Sequence, residues 1–202
     1  MKLSWTLLGA LALVITILLL ASCSSEQKQQ GNATSKASTA GQTTGSCAPA
    51  GIEWKVPTGW VPGPEKPMRV ATYAVGGLDA PAECAVFFFG AGQGGDVDAN
   101  IARWISQVKQ PDGSDSEDKA VRDKVKSACC QITTIEVAGT YLASSGAMMQ
   151  TTAEKPGFVL LGAIVPGPKG NVFFKFTGPK TTVDKAKEDF LGLLRSVNKQ
   201  AD

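Results

Sequence analysis

Past position 50 the apolar residues fall into short runs alternating with polar ones, and glycine- and proline-rich turns stand between the runs. Ile52–Val56, Met68–Val75 and Cys84–Phe89 read as strands, divided by Pro57-Thr58-Gly59 and Gly76-Gly77-Leu78-Asp79. The pattern then changes period. Val97, Ile101, Trp104, Ile105 and Val108 recur at helical spacing, with Asp96 placed to cap the start and Pro111 shortly beyond the end. Strand patterning returns at about Ala120–Val125 and Cys130–Ala138, and again at Phe158–Val165 and Val172–Thr177, joined by the turn-rich Pro166–Asn171. A second helix closes the chain, with Val183, Ala186, Phe190, Leu193, Leu194 and Val197 on one face and Thr181 or Thr182 available as its N-cap. Many strands with short connections and only two helices predict an α+β fold, an antiparallel β-sheet covered by helices.

The first fifty residues follow a different pattern. Lys2 is the only charge before position 26, Leu3–Leu20 is almost unbroken apolar sequence, and small residues follow it, the layout of a signal peptide. Leu20-Ala21-Ser22-Cys23 resembles the lipobox of bacterial lipoproteins, a resemblance that implies cleavage after Ser22 and lipidation of Cys23. Several acyl chains on one cysteine anchor a protein stably, at about 0.8 kcal/mol per buried methylene. From Ser24 to Ala50 the chain is mostly Gln, Ser, Thr, Gly and Ala, too poor in apolar surface to offset its ordering entropy. Such a tether has an r.m.s. span of roughly 30 Å. Three segments are therefore expected: a cleaved signal peptide over 1–22, a lipidated cysteine with a flexible tether over 23–50, and one α+β domain over 51–202.

Four stretches of that domain, Trp54–Trp60, Met68–Tyr73, Ala82–Gly90 and Lys175–Pro179, look like a group of uncharacterised bacterial exported proteins. That group is similar in fold to PsbP, an extrinsic subunit of photosystem II, which implies a PsbP-like α/β/α sandwich. A fold-level likeness implies neither photosystem binding nor any other role.

Charge narrows the partners. The formal net charge is +2 and falls to about +1 once Lys2 is removed, with no block of Lys or Arg to meet a polyanion, so no nucleic acid is expected. Export would place Cys47, Cys84, Cys129 and Cys130 where disulfides form. At least one disulfide is expected, involving Cys129 or Cys130; these adjacent two are not expected to pair with each other, so if two bridges form, Cys47 and Cys84 each take one of them. The competing reading makes Cys84 a small buried hydrophobe within an apolar run.

Complete catalytic or cofactor signatures do not emerge. The chain contains no histidine, which removes Ser-His-Asp and Cys-His devices, and the cysteine spacing offers no zinc site. Gly90-Ala91-Gly92-Gln93-Gly94-Gly95 satisfies G-x-G-x-x-G, but Asp96 and Asp98 place negative charge where a pyrophosphate would sit, so the expectation is a glycine loop admitting positive φ. A calcium loop opening at Asp96 would need glycine and glutamate where Ile101 and Gln107 stand, and the acidic stretch Asp112–Asp118 reads as a solvated loop. Ser106-x-x-Lys109 and Ser196-x-x-Lys199 lack the companion signatures of penicillin-recognising enzymes. No cofactor or metal is therefore expected.

Trp104 and Phe87–Phe89 occupy apolar faces and are expected in the core. Trp60, flanked by Gly59, Val61 and Pro62, is the expected surface aromatic, and with Gly92, Gln93 and Gly94 it forms the expected partner or ligand surface. The functional expectation is a membrane-anchored extracytoplasmic lipoprotein, at the cell membrane or outer membrane. It would act as a non-catalytic binding or assembly subunit for an envelope protein or small ligand, with an envelope hydrolase as the alternative.

Overall fold

The computed structural model describes residues 49–145 and 151–200. The expected signal peptide, Cys23, Cys47 and the expected tether as far as residue 48 lie outside the described residues; the last two residues assigned to the tether, Pro49 and Ala50, are instead buried against the domain, where the Ala50 carbonyl accepts from the Lys169 amide at 3.1 Å. In chain order the elements are β1 Ile52–Glu53, β2 Val61–Pro62, β3 Arg69–Val75, β4 Ala82–Phe88, α1 Val97–Ile105, β5 Val108–Lys109, β6 Val121–Lys126, β7 Gln131–Ser145, β8 Thr151–Gly167, β9 Gly170–Pro179, α2 Lys180–Arg195 and β10 Asn198–Lys199. An eight-stranded antiparallel sheet runs β2-β3-β4-β9-β8-β7, with β5 and β6 both pairing with β7, and β1 and β10 form a separate two-stranded ladder. The fold is the expected α+β class.

The core explains why one sheet needs two helices. Along β8, Val159, Leu161, Ala163 and Val165 pack toward α2, while Leu160 and Ile164 pack toward α1. Both faces are thus covered, and the strand reads as a continuous apolar run instead of an alternating one. The helix α2 buries Val183, Ala186, Phe190, Leu193 and Leu194 against Phe174 and Phe176, and α1 buries Ile101, Trp104 and Ile105 against Ile135, Val137 and Phe173. No described helix is long and apolar enough to cross a membrane.

Several boundaries differ from expectation. The first strand stops at Glu53 instead of Val56. The long hairpin extends to Gln131–Ser145 and Thr151–Gly167, well past the expected Ala138 and Phe158, through residues whose hydrophobicity does not alternate cleanly. Thr181 and Thr182 do not cap α2. The helix starts at Lys180 behind Pro179, and the Thr182 hydroxyl instead donates to the Ala80 carbonyl at 2.8 Å, tying α2 to the loop before β4. The expected cap of α1 is present: Asp96 accepts from the Asp98 and Ala99 amides at 2.8 and 3.1 Å.

The register also corrects the cysteine pairing. Cys84 on β4 is fully buried in the α2-side core, and three strand spacings, β4 to β9 to β8 to β7, separate its strand from the one that Cys130 precedes. That separation is roughly 14 Å, beyond any disulfide. Cys84 therefore takes neither neighbour, and burial pushes its thiol pKa far up. Cys129 and Cys130 sit together at the β6–β7 turn with their sulfurs 3.2 Å apart, and both are free thiols, as is Cys84.

Trp104 lies on the sheet backbone at Gly162, where an added Cβ would stand 2.4 Å from two ring carbons. Gly162→Ala should overpack this contact and destabilise the domain by about 1–3 kcal/mol. Gly192→Ala, on an exposed stretch of α2 with open space around it, should instead stabilise by about 0.5–1 kcal/mol. Urea denaturation of both variants checks the pair of signs.

Candidate functional site

The expected surface does not assemble. Trp60 is only 7% exposed and packs on Tyr73 and Phe176 in the α2-side core, with no partner for its Nε1 among the described residues. Its flanking turn residues suggested exposure, but β2 pairs with β3 and folds the ring inward. The glycine loop lies on the opposite face, because Gly94 packs on Phe173 and Phe89. Adjacent aromatics on β9 point to opposite faces, so Trp60 and Gly94 are on different sides of the sheet.

The loop itself is ordered by a side chain that no motif singled out. Asn100 is buried, donates to the Gly94 and Asp96 carbonyls at 2.7 and 2.8 Å, and accepts from Arg103. Gly92 and Gly94 take φ values of 68° and 94°, as a glycine loop admitting positive φ requires, and Gly92 and Gln93 are exposed. The first amides of α1 are already used by Asp96, so the loop lacks the free helix end that a phosphate cradle needs.

A different site lies on the α1 face. Trp104 and its neighbours cover the β7–β8–β9 half of that face, and a cleft of about 450 Å³ remains over β9, β4 and β3. Its walls come from the β2–β3 connection (Gly63, Pro64, Lys66), from Arg69, Thr72 and Glu83 on the sheet, and from Tyr141, Lys155 and Phe158 on the long hairpin.

Two bulges build it. On β3, Arg69 pairs with Phe87 and Ala71 with Val86, so one extra residue, Val70, stands in the ladder. Strict alternation would send Arg69 to the α2 face with Ala71 and Tyr73. The bulge turns it to the other face, where its guanidinium lies 5.6 Å from the Phe87 ring centroid and bonds Glu83 at 2.7 Å. On β8 the register slips at Pro156-Gly157, where proline has no amide to leave unpaired and Gly157 takes φ 68°. The extra residue turns Lys155, opposite Tyr141 in the ladder, to the α1 face, where its ammonium lies 5.4 Å from the ring centroid of Phe158, itself stacked on Tyr141 at 6.3 Å between centroids.

The electrostatics are one-sided. Glu83 accepts from Lys66 at 2.6 Å and Arg69 at 2.7 Å; burial pushes its carboxyl pKa up, but those two cations together hold it below the usual range. Behind Tyr141, the Lys175 ammonium donates to the tyrosine hydroxyl at 2.9 Å and to the Gln107 side-chain carbonyl. Both partners are neutral. Burial, with Arg69 and Arg103 nearby, lowers the Lys175 pKa to about 8 despite the pull of Glu83. Tyr141 is pushed above its ordinary value by burial and by the Glu83 charge. A second groove, between β6–β7 and α2, contains Lys187 already paired with Glu136 at 2.5 Å. No group of metal-ligating side chains occurs among the described residues.

The site thus defines an α+β domain with a preformed cationic, aromatic-walled cleft. The chain matches no protein-family model and no curated protein. Among solved structures it is similar to the cyanobacterial PsbP (CyanoP) of Synechocystis sp. PCC 6803, at 11% identity and a TM-score of 0.41, over 74% of this chain and 87% of that one. A likeness at that level says nothing about activity or partner.

Lys175 should make stability depend on pH. Its ordinary value is 10.5 and its folded value about 8, so between those values the unfolded chain holds more protons and stability rises with pH; below pH 8 the full cost of the buried charge is present. Lys175→Met should stabilise the domain at pH 7 by about 1–3 kcal/mol and abolish the rise in stability between pH 7 and 9.5. Urea unfolding of both proteins at the two pH values measures it.

Proposed function

We propose that this protein is a lipid-anchored extracytoplasmic lipoprotein, a non-catalytic binding or assembly subunit of the cell envelope, and that it engages its partner through the cationic cleft. The observation that carries the binding reading is Lys175, a half-buried ammonium whose hydrogen-bond partners are both neutral. Such a charge is costly to keep, and nothing in the surrounding core requires it. A partner that brings negative charge supplies the missing counterpart. Perturbed titratable groups converging in a concave site mark functional surfaces in general.

The anchor reading rests on sequence alone: the basic start, the apolar run and the lipobox-like Leu20–Cys23. Two or three acyl chains hold a domain at a membrane without a spanning helix, and the polar tract after Cys23 supplies reach. Radiolabelled palmitate should enter the wild-type protein and not the Cys23→Ser variant. Equal labelling of the two would remove the anchor.

Photo-crosslinking tests the binding reading. Benzoylphenylalanine introduced at Lys155, on the exposed rim of the cleft, should capture one envelope component in intact cells, and Arg69→Gln should abolish the adduct without lowering the melting temperature. An adduct indifferent to Arg69 would place the contact elsewhere. Turnover of peptidoglycan, ester or phosphoester by the purified protein, lost with a single Ser or acid, would establish the hydrolase instead.

A further inference from the structure

We infer that the cleft seats a small organic acid, a single carboxylate joined to a compact apolar body. The inference rests on the binding reading above and adds the chemistry of what is bound. Four features of the site set that chemistry.

The first is charge. Facing the space are Lys66 and Arg69 from the β2–β3 side, Glu83 from β4, Tyr141 from β7 and Lys155 from β8, while Lys175 from β9 stands behind Tyr141, bonded to it and to Gln107, with Arg103 of α1 near enough to act on it. Glu83 neutralises one of these cations, so the field over the cleft is positive. The second is donor capacity. Tyr141 accepts from Lys175, and no described group accepts its own hydroxyl hydrogen; Lys175, with three hydrogens, has two described acceptors. Donors of that kind are what an anionic head group needs.

The third feature is the wall. Phe158 stacked on Tyr141, with Pro64, Ala74 and Ala143 around them, offers apolar surface to the rest of a ligand. The fourth is size: about 450 Å³ lies within the range of small-molecule sites and is too small for a folded partner to enter. Together they favour an organic acid over inorganic phosphate. A dianion would sit beside the Glu83 carboxylate, and phosphate has no use for aromatic faces.

Protonation should report on the site. The depressed Lys175 pKa means the ammonium is fully charged only below about pH 8, so affinity for an anion should fall above that value, by up to about tenfold per pH unit.

Benzoate, its neutral isostere benzamide, and inorganic phosphate serve as probes, titrated by ligand-observed NMR into the purified mature protein in nonionic detergent. Benzoate should bind and benzamide should not. Arg69→Gln and Lys175→Met should each weaken benzoate by about tenfold or more, which corresponds to about 1.4 kcal/mol, while Gln93→Ala leaves it unchanged. Equal binding of benzoate and benzamide, or undiminished benzoate binding in both cleft variants, would overturn the inference. Phosphate binding as tightly as benzoate would remove the apolar body from it. Should all three probes fail while the Lys155 crosslink persists, the ligand class is wrong and the binding reading stands; failure of both removes the reading itself. Arg69→Gln keeps the test decisive even where Lys175→Met alters the fold, and melting curves of each variant show which has occurred.

Discussion

The seating of Trp104 on Gly162 decides what the α1 face of this protein can be. With no side chain at Gly162, the indole lies against the sheet backbone, and α1 comes to rest over β7, β8 and β9. One helix of nine residues cannot also cover β4 and β3. The uncovered half of that face is the cleft, and Lys175, paired with Gly162 across the β8–β9 ladder, lies at the border between the covered and open halves. The side chain is half-buried there, and its ammonium reaches Gln107 and Tyr141. Moving α1 would change the burial of Lys175 and the shape of the cleft together.

Irregularities of the sheet then supply the specificity that a regular ladder lacks. Residues 69, 71, 73 and 75 would share a face in an unbroken strand, and three of them belong to or pack against the α2-side core. Only the extra residue at Val70 frees Arg69 to meet Glu83 and Phe87. Pro156-Gly157 performs the corresponding task for Lys155, which would otherwise share a face with Val159 and Leu161. Gly139 lets β5 approach β7 closely, since a Cβ there would lie 2.5 Å from the Lys109 carbonyl oxygen. Through that contact Gln107 is drawn to β7, where its carbonyl accepts from the Leu142 amide at 2.8 Å. The cleft is assembled from defects in alternation, each carried by a residue suited to it.

This origin also explains what was legible in the sequence. Helix faces show plainly at period 3.6, and α1 begins with the cap that Asp96 announces. The strands with strong apolar runs were visible as well, with boundaries blurred where polar residues extend a ladder, as in Thr151–Lys155. Arg69, Glu83, Tyr141 and Lys175 carried no such signal, because each stands alone in its own strand and no spacing links them. A faint cue did exist: Lys175 interrupts the aromatic run Phe173-Phe174-Lys175-Phe176, a place where a charge demands an explanation. Trp60 misled for the converse reason, since its turn-like neighbours reported the local chain and not the pairing of β2 with β3.

A lysine with a depressed pKa is equally the mark of a nucleophilic amine, and the geometry bears on which role Lys175 suits. A nucleophile needs its lone pair free and aimed at an electrophile. Here the side-chain carbonyl of Gln107 can only accept, so its hydrogen bond is made with an N–H of Lys175 and is strongest when that nitrogen is charged. Tyr141 has its own pKa raised, so it remains a neutral hydroxyl and not a phenolate base able to take the proton. Both contacts oppose loss of the proton, while burial and the neighbouring Arg69 and Arg103 favour it. An anion entering the cleft would reverse the balance, raising the pKa and restoring the charge. A site poised in this way is suited to holding a negative group, and the energy gained on pairing the half-buried ammonium is available to binding because folding has already carried its cost.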